Sequence, residues 1–270
     1  VGIKPLFYYH DGSKFLFASE IKAIMQYPGI IRNMDLESLR TYFSLGYIPG
    51  ENSIYDKIKK LPPAHVLTFH EHNVEIKRYW SLPDTIIFKE ENSAREELES
   101  LLLESVKMQM ISDVPLGVLL SGGLDSSLVA SIMASQSDRP IKTFSISFNE
   151  EKYNEIEHAR NVARHIQSEH FEYKVDLEKS EIIEDLVYYY DEPFADSSAI
   201  PTYYVSKLAK KEVTVVLSGD GGDELFAGYN WYDWMLKYAA FNRIPQNVRR
   251  LLSDMSNSIL PFPRYLSRCG

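Results

Sequence analysis

Ser121-Gly-Gly-Leu-Asp-Ser-Ser127 carries the densest chemistry in this 270-residue chain. Two adjacent glycines let the backbone turn tightly and bring bare N–H groups close to an anion. The heptad stands between an apolar run, Leu116–Leu120, and a helical pattern beginning at Ser126. The positive end of a helix therefore opens on the same spot, and a phosphate or pyrophosphate is its natural occupant. The hydroxyls of Ser121, Ser126 and Ser127 are suited to donate to phosphate oxygens. Asp125 would repel a bare phosphate, so its presence implies an intervening cation. Magnesium, which takes carboxylate together with phosphate oxygens, fits. The Walker A spacing and its lysine are absent, which sets this loop apart from the P-loop of NTPases.

A second loop, Leu217-Ser-Gly-Asp-Gly-Gly-Asp-Glu-Leu-Phe-Ala-Gly-Tyr229, follows another short apolar run, Val213–Val216. In an open α/β sheet, ligands bind outside the carboxyl ends of the strands. Two such loops would bring Asp125 and Asp223 within reach of one metal–phosphate cluster. Other candidates are weaker. Glu155 and Glu157 stand where acids favour a helix start, and His70-Glu-His72 reads as an exposed turn rather than a metal site. Tyr188–Tyr190 reads as core and interface.

Positioning these loops requires a particular order of elements. The first 80 or so residues are β-rich, with a hairpin signal at Asp11-Gly12, a short helix over 35–45 capped by Asp35, and a final hairpin over 61–80. A boundary falls near residues 82–93. Ser93 then opens a capping box with Glu96, and Leu98, Leu101, Leu102, Ser105, Met108 and Ile111 form a stripe expected to pack against a sheet. Beyond it strands and helices alternate: strands at 116–120, 141–148, 171–175 and 213–217, helices at 126–135, 156–166, about 181–190 and about 200–211. That alternation predicts βαβ crossovers and a parallel sheet with helices on both faces. Residues 230–270 read as aromatic- and Arg-rich helix.

Composition bounds the partners. Hydrophobic residues make up 44% and charged residues 25%, an ordinary globular balance. A net charge of −9 argues against a nucleic-acid or membrane-surface binder. The single cysteine excludes an internal disulfide and fits a reducing cytoplasm. No run approaches the ~18 apolar residues of a membrane span. The start at Val1 reads as that of a fragment.

Ser121–Ser127 resembles the pyrophosphate loop of the N-type ATP pyrophosphatases. Together with Ser218–Glu224, Gly2–Leu6 and Phe17–Glu20 it resembles the glutamine-hydrolysing asparagine synthetase family, over essentially the whole chain. The resemblance implies an α/β fold: a parallel-sheet, adenine-nucleotide α-hydrolase-like (PP-loop) domain at residues 83–270, truncated at its C-terminus. Residues 1–82 would be the β-rich second half of an N-terminal-nucleophile (class II glutamine amidotransferase) domain. It further implies ATP and magnesium as cofactors, an acyl-adenylate of the aspartate side chain, and displacement of AMP by glutamine-derived ammonia. Under it, Leu120, Ile146, Ser218 and Gly219 hold the adenosine part. Ser121, Gly122, Gly123, Ser126 and Ser127 cradle phosphate, Asp125 and Asp223 hold the metal and pyrophosphate, and Asp220 serves as base for ammonia attack. Glu155 follows Tyr153-Asn154 as in the family, toward the nucleotide. The partners implied are small molecules, with no nucleic acid or membrane, and a homodimer is compatible.

The departures are specific. Glu is frequent in the family where Asp220 stands, and Asp reaches one methylene less far. Asp191–Thr202 occupies the acceptor-side segment but has no arginine near Ser197, where one would suit an aspartate α-carboxylate. Another carboxylate, such as a sugar-linked acid, or a cyclising β-lactam-forming reaction is therefore the alternative, and a non-catalytic nucleotide-sensing domain is the reading of a different class. Val1 has no nucleophile and Cys269 lies at the opposite end, so no glutaminase residue is placed in this chain.

Overall fold

The computed structural model describes residues 2–148, 156–175 and 182–242. The chain divides into two compact units, Val1–Ser218 and Gly219–Gly270.

The first unit opens with a hairpin of β1 (Phe7–His10) and β2 (Phe15–Ala18), with Tyr9 opposite Leu16. The Asp11 carboxylate fixes its turn by accepting from the Ser13 and Lys14 amides at 2.9 and 2.8 Å. These backbone donors hold Asp11 well below the usual carboxylate range. A short helix α1 (Ile21–Met25) follows, then α2 (Leu36–Leu45), whose cap is Asp35 as the sequence predicts. Strand β3 (Ile58–Lys60) adds antiparallel to β1, giving the order β2-β1-β3, and a small core of Tyr9, Ile21, Ile24 and Ile58 seals the group. The final hairpin pairs β4 (His65–His70) with β5 (Asn73–Arg78). Glu71 and His72 turn it with positive φ, exposed as expected.

Helix α3 (Glu91–Gln109) corrects two expectations. Its cap is Glu90, whose carboxylate accepts from the Ser93 amide at 3.0 Å; Ser93 lies inside the first turn. Glu-Asn-Ser at 91–93 is helix-compatible, so the nearest upstream oxygen that could reach the amide took the capping role. Most of the expected stripe is left uncovered. Leu101, Met108 and Ile111 are exposed, whereas Leu102 and Val106 pack into the core beside α4 (Leu124–Ser135).

The four remaining strands are β6 (Leu116–Leu119), β7 (Lys142–Phe148), β8 (Glu169–Val175) and β9 (Val215–Leu217). They form one parallel sheet in the order β8-β7-β6-β9. Alternation along β6 divides the core. Leu116, Val118 and Leu120 face α4 and α5 (Ile156–His165), while Leu119 packs with Phe144 against α7 (Ala199–Ala209). Helices thus cover both faces, as parallel sheets require. Helix α6 (Ile183–Tyr190) precedes α7 and has no buried residue, so Tyr188–Tyr190 are surface rings rather than core.

Chain order gives the sheet its functional asymmetry. From β6 the chain proceeds outward through β7 to β8, then returns to place β9 on the opposite side of β6. The strand order therefore reverses between β6 and β9, with Val118 opposite Leu217. The second unit holds α8 (Gly222–Phe226) and α9 (Asn230–Asn242).

Candidate active site

Leu120, immediately beyond β6, is fastened to β7 on both sides. Its N–H donates to the Phe144 carbonyl at 2.8 Å, and its carbonyl accepts from the Ser145 hydroxyl. Ser145 was not singled out from the sequence, because a strand serine that bonds across to the next strand has no local signature. With its N–H used by the sheet, Leu120 has the second lone pair of its carbonyl left for a ligand.

The glycine loop then turns directly into α4. Gly122 has φ +89°, the left-handed region where a side chain is strained, and Gly123 is the N-cap. The helix begins at Leu124, two residues earlier than the sequence pattern indicates, which puts Asp125 in its first turn. Ser126 is buried and occupied within the loop: its hydroxyl accepts from the Ser121 amide at 3.3 Å and shares a hydrogen bond with the Ser121 hydroxyl at 2.8 Å. The Ser121 hydroxyl in turn accepts from the Gly123 amide at 3.2 Å. These bonds set the loop's shape.

Two features of this loop suit an anion. No side chain caps the first turn of α4, so its leading amides keep their donor capacity. The Ser127 hydroxyl is buried without a hydrogen-bond partner, an unmet donor in that first turn. Phosphate oxygens would satisfy both.

A cleft of about 250 Å³ opens beside the loop, lined by Leu120, Ser121, Phe144, Ile146, Thr202 and Val205 among others. The structure thus brings Leu120, Ser121 and Ile146 to one wall. Ser218, at the end of β9, is half-buried. The cleft stands close to the lower end of ordinary ligand pockets, about 300 Å³.

The second unit carries the other acidic loop. Gly221, with φ +92°, caps α8, and the Gly222 amide donates to the Gly219 carbonyl at 3.2 Å. Asp223 and Glu224 stand in the first turn of α8, where carboxylates are favoured. The Gly228 amide closes the loop on the Asp223 carbonyl at 3.0 Å, and a Cβ at 228 would sit 1.9 Å from an Asp223 carboxylate oxygen. Gly228 therefore makes the space for Asp223. The Tyr229 hydroxyl donates to Glu224 at 2.7 Å, which raises the tyrosine to about 12 and lowers Glu224. Asp220 is exposed and Asp223 half-buried. Among the described residues no group of three or more His, Cys, Asp and Glu side chains gathers as a metal cage. Glu155 and Cys269 lie outside the described residues.

A family model described as asparagine synthase matches residues 97–269, and one described as a glutamine amidotransferase domain matches residues 1–80. The chain belongs to the asparagine synthase family. Within it, a Methanocaldococcus jannaschii protein provisionally named glutamine-hydrolysing asparagine synthetase 2 is 42% identical, covering 96% of this chain and 53% of that protein. Glutamine-hydrolysing asparagine synthetases 1 and 3 of Bacillus subtilis are 36% and 32% identical, covering 96% and 99% of this chain and 41% and 46% of their own lengths. The chain spans about half the length of the curated relatives it matches. Family membership brings the PP-loop α/β fold, in keeping with the parallel sheet. No helix among the described residues is long and apolar enough to cross a membrane.

Proposed function

We propose that the protein to which this chain belongs is an ATP-dependent ligase that amidates a carboxylate, with aspartate as acceptor and glutamine-derived ammonia as nitrogen source. The observation that carries this reading is the Ser121–Ser127 loop. It leaves β6 where the strand order reverses and opens on the uncapped end of α4 beside the Leu120–Ile146 cleft. The names of the relatives support the same chemistry.

In this reading the acceptor carboxylate attacks the α-phosphorus of ATP, the bond to the β-phosphate breaks, and pyrophosphate leaves. Ammonia then adds to the acyl carbon, loses a proton, and expels AMP. Adenylation is needed because a carboxylate oxygen is a poor leaving group until it belongs to an acyl-phosphate mixed anhydride. The chain's own task is positioning and charge neutralisation. Leu120 and Ile146, with Ser218 and Gly219, hold the adenosine part. Ser121, Gly122, Gly123, Ser126 and Ser127 receive the pyrophosphate through amides, hydroxyls and the helix end. Asp125 and Asp223 hold magnesium, which when bound neutralises phosphate charge. Asp220 accepts the proton from the attacking nitrogen.

The β-rich residues 1–82 belong, on this reading, to a class II glutamine amidotransferase domain and residues 83–270 to the synthetase domain, in line with the two family matches. The single cysteine suits a cytoplasmic setting, and a homodimer is compatible with small-molecule substrates. The test is pyrophosphate release by the full-length protein with ATP, magnesium, ammonia and a panel of carboxylates. Aspartate-dependent release with asparagine formed supports the reading. Release with another carboxylate only moves the acceptor, and no carboxylate-dependent release overturns it.

A further inference from the structure

Asp191-Glu192 joins α6 to the segment leading into α7, and both acids are tied to residues of the β-rich N-terminal part. The Lys60 ammonium, on β3, donates to Glu192 at 2.7 Å, and the other Glu192 oxygen accepts from the Ile54 amide at 3.0 Å. Only 13% of the Glu192 side chain is exposed. Lys22, on α1, pairs with Asp191 at 3.1 Å and lies over the Tyr188 ring at 5.1 Å. Burial pulls the Lys22 ammonium down, but hydrogen bonds to Glu20 and Asp191 more than offset it. Three residues on, the Ala195 amide donates to the Gly46 carbonyl at 2.8 Å. Asp191 holds φ +62°, an uncommon conformation for a non-glycine residue, at the C-terminus of α6. The stretch from 191 to 195 is thus gripped at four points from one side.

That stretch runs through Asp196, whose carboxylate accepts from the Ser198 amide at 2.7 Å, straight into α7. Pro201, Thr202 and Val205 of α7 line the same cleft as Leu120 and Ile146. Resting on the assignment of this cleft to ATP, we infer that Lys60 and Glu192, seconded by Lys22 and Asp191, are positioning residues for the nucleotide. The amidotransferase-like part of the chain sets the α7 side of the ATP cleft without touching ATP. A partly buried carboxylate with two donors is a firm anchor, because removing one partner leaves charge in a poorly solvated place.

The experiment uses the full-length protein driven by ammonia, so that no glutamine chemistry enters. Lys60→Met is expected to raise KM and Kd for ATP by roughly 3- to 10-fold, the range that coupling within a contact network carries, with kcat within about twofold. Glu192→Gln, which keeps an acceptor for the Ile54 amide, is expected to shift both less, and Lys60→Arg to restore parental values. Amide hydrogen exchange over 191–205 is expected to speed up in Lys60→Met and not in Lys60→Arg. If the parent binds ATP and Lys60→Met binds it equally well, the clamp is wrong while the functional reading stands. A uniform fall in kcat with unchanged KM and Kd also overturns it. If the parent neither binds ATP nor releases pyrophosphate, the functional reading itself falls and this inference with it.

Discussion

Adding one methyl group to Gly117 tests how the glycine loop is held. Gly117 lies in the middle of β6, paired with Lys142 on one side and Val216 on the other. A Cβ there would meet Phe144 at 2.6 Å and the Lys142 carbonyl oxygen at 3.0 Å. Phe144 is wholly buried and stacked on Phe171 at 5.3 Å, so the ring has little room to yield, and the carbonyl is ladder backbone that cannot move alone. Gly→Ala at a compatible site stabilises by about 0.4–1 kcal/mol through the unfolded chain. Overpacking a filled core costs about 1–3 kcal/mol. The structure therefore predicts net destabilisation, opposite in sign to the generic effect. At about 2–4 °C per kcal/mol for a domain of 150–250 residues, Gly117→Ala should lower Tm by several degrees. Because Phe144 also lines the cleft and its carbonyl holds Leu120, ATP binding should weaken in parallel. Phe144→Leu in the Gly117→Ala background should recover part of the loss, with a coupling of about 1–2 kcal/mol in a double-mutant cycle. The measurements are thermal unfolding and ATP titration of the four variants in the full-length protein. An unchanged or raised Tm for Gly117→Ala would refute the packing argument, and additive single effects would refute the pairing with Phe144.

Three further outcomes are expected. Asp125→Asn and Asp223→Asn should each cut magnesium-dependent pyrophosphate release by about 10²-fold or more, since charge neutralisation is worth several kcal/mol. Far-UV circular dichroism should stay parental, and parental release rates would refute the proposed metal-holding role of these residues. Asp220→Ala should still bind ATP and release pyrophosphate while amide formation falls by ~10²–10⁴-fold; amide made at the parental rate would leave Asp220 as a loop residue only. Burial lowers the His170 imidazole, opposed by Glu172 and seconded by Arg160, so the unfolded chain binds the proton more readily than the folded one. Stability from this group is full above the ordinary value near 6.5 and is lost as pH falls below it, so urea midpoints between pH 7.5 and 5 should drop more steeply in the parent than in His170→Asn.

The parallel sheet was legible because its strands and helices alternate at lengths that only βαβ crossovers accommodate, and the glycine heptad because glycines, hydroxyls and one acid stand together. What escaped the sequence was set by tertiary neighbours. Helix α1 and strand β3 are too short for periodicity to reveal. The α3 stripe was misread because leucines at helical spacing mark an apolar face without saying what covers it; only Leu102 and Val106 found the core. The roles of Ser145 and Glu192 depend on partners 25 and 138 residues away in sequence. Gly117 did leave a trace, since a glycine inside a strand pattern signals close approach of a neighbour, and Gly228 took its meaning only from the position of the Asp223 side chain.

The reversal of strand order also has a consequence for synthesis of the chain. β6, β7 and β8 leave the ribosome in that order and can zip together successively, but β9 follows β6 by about a hundred residues. Until it arrives, the inner edge of Leu116–Leu119 is an unpaired apolar edge, open to any other extended segment nearby. The strand that finishes the sheet is also the one that delivers the second acidic loop. The nascent chain is thus most prone to mispairing before Ser218 is in place, and closing that edge and presenting Ser218 occur in a single step.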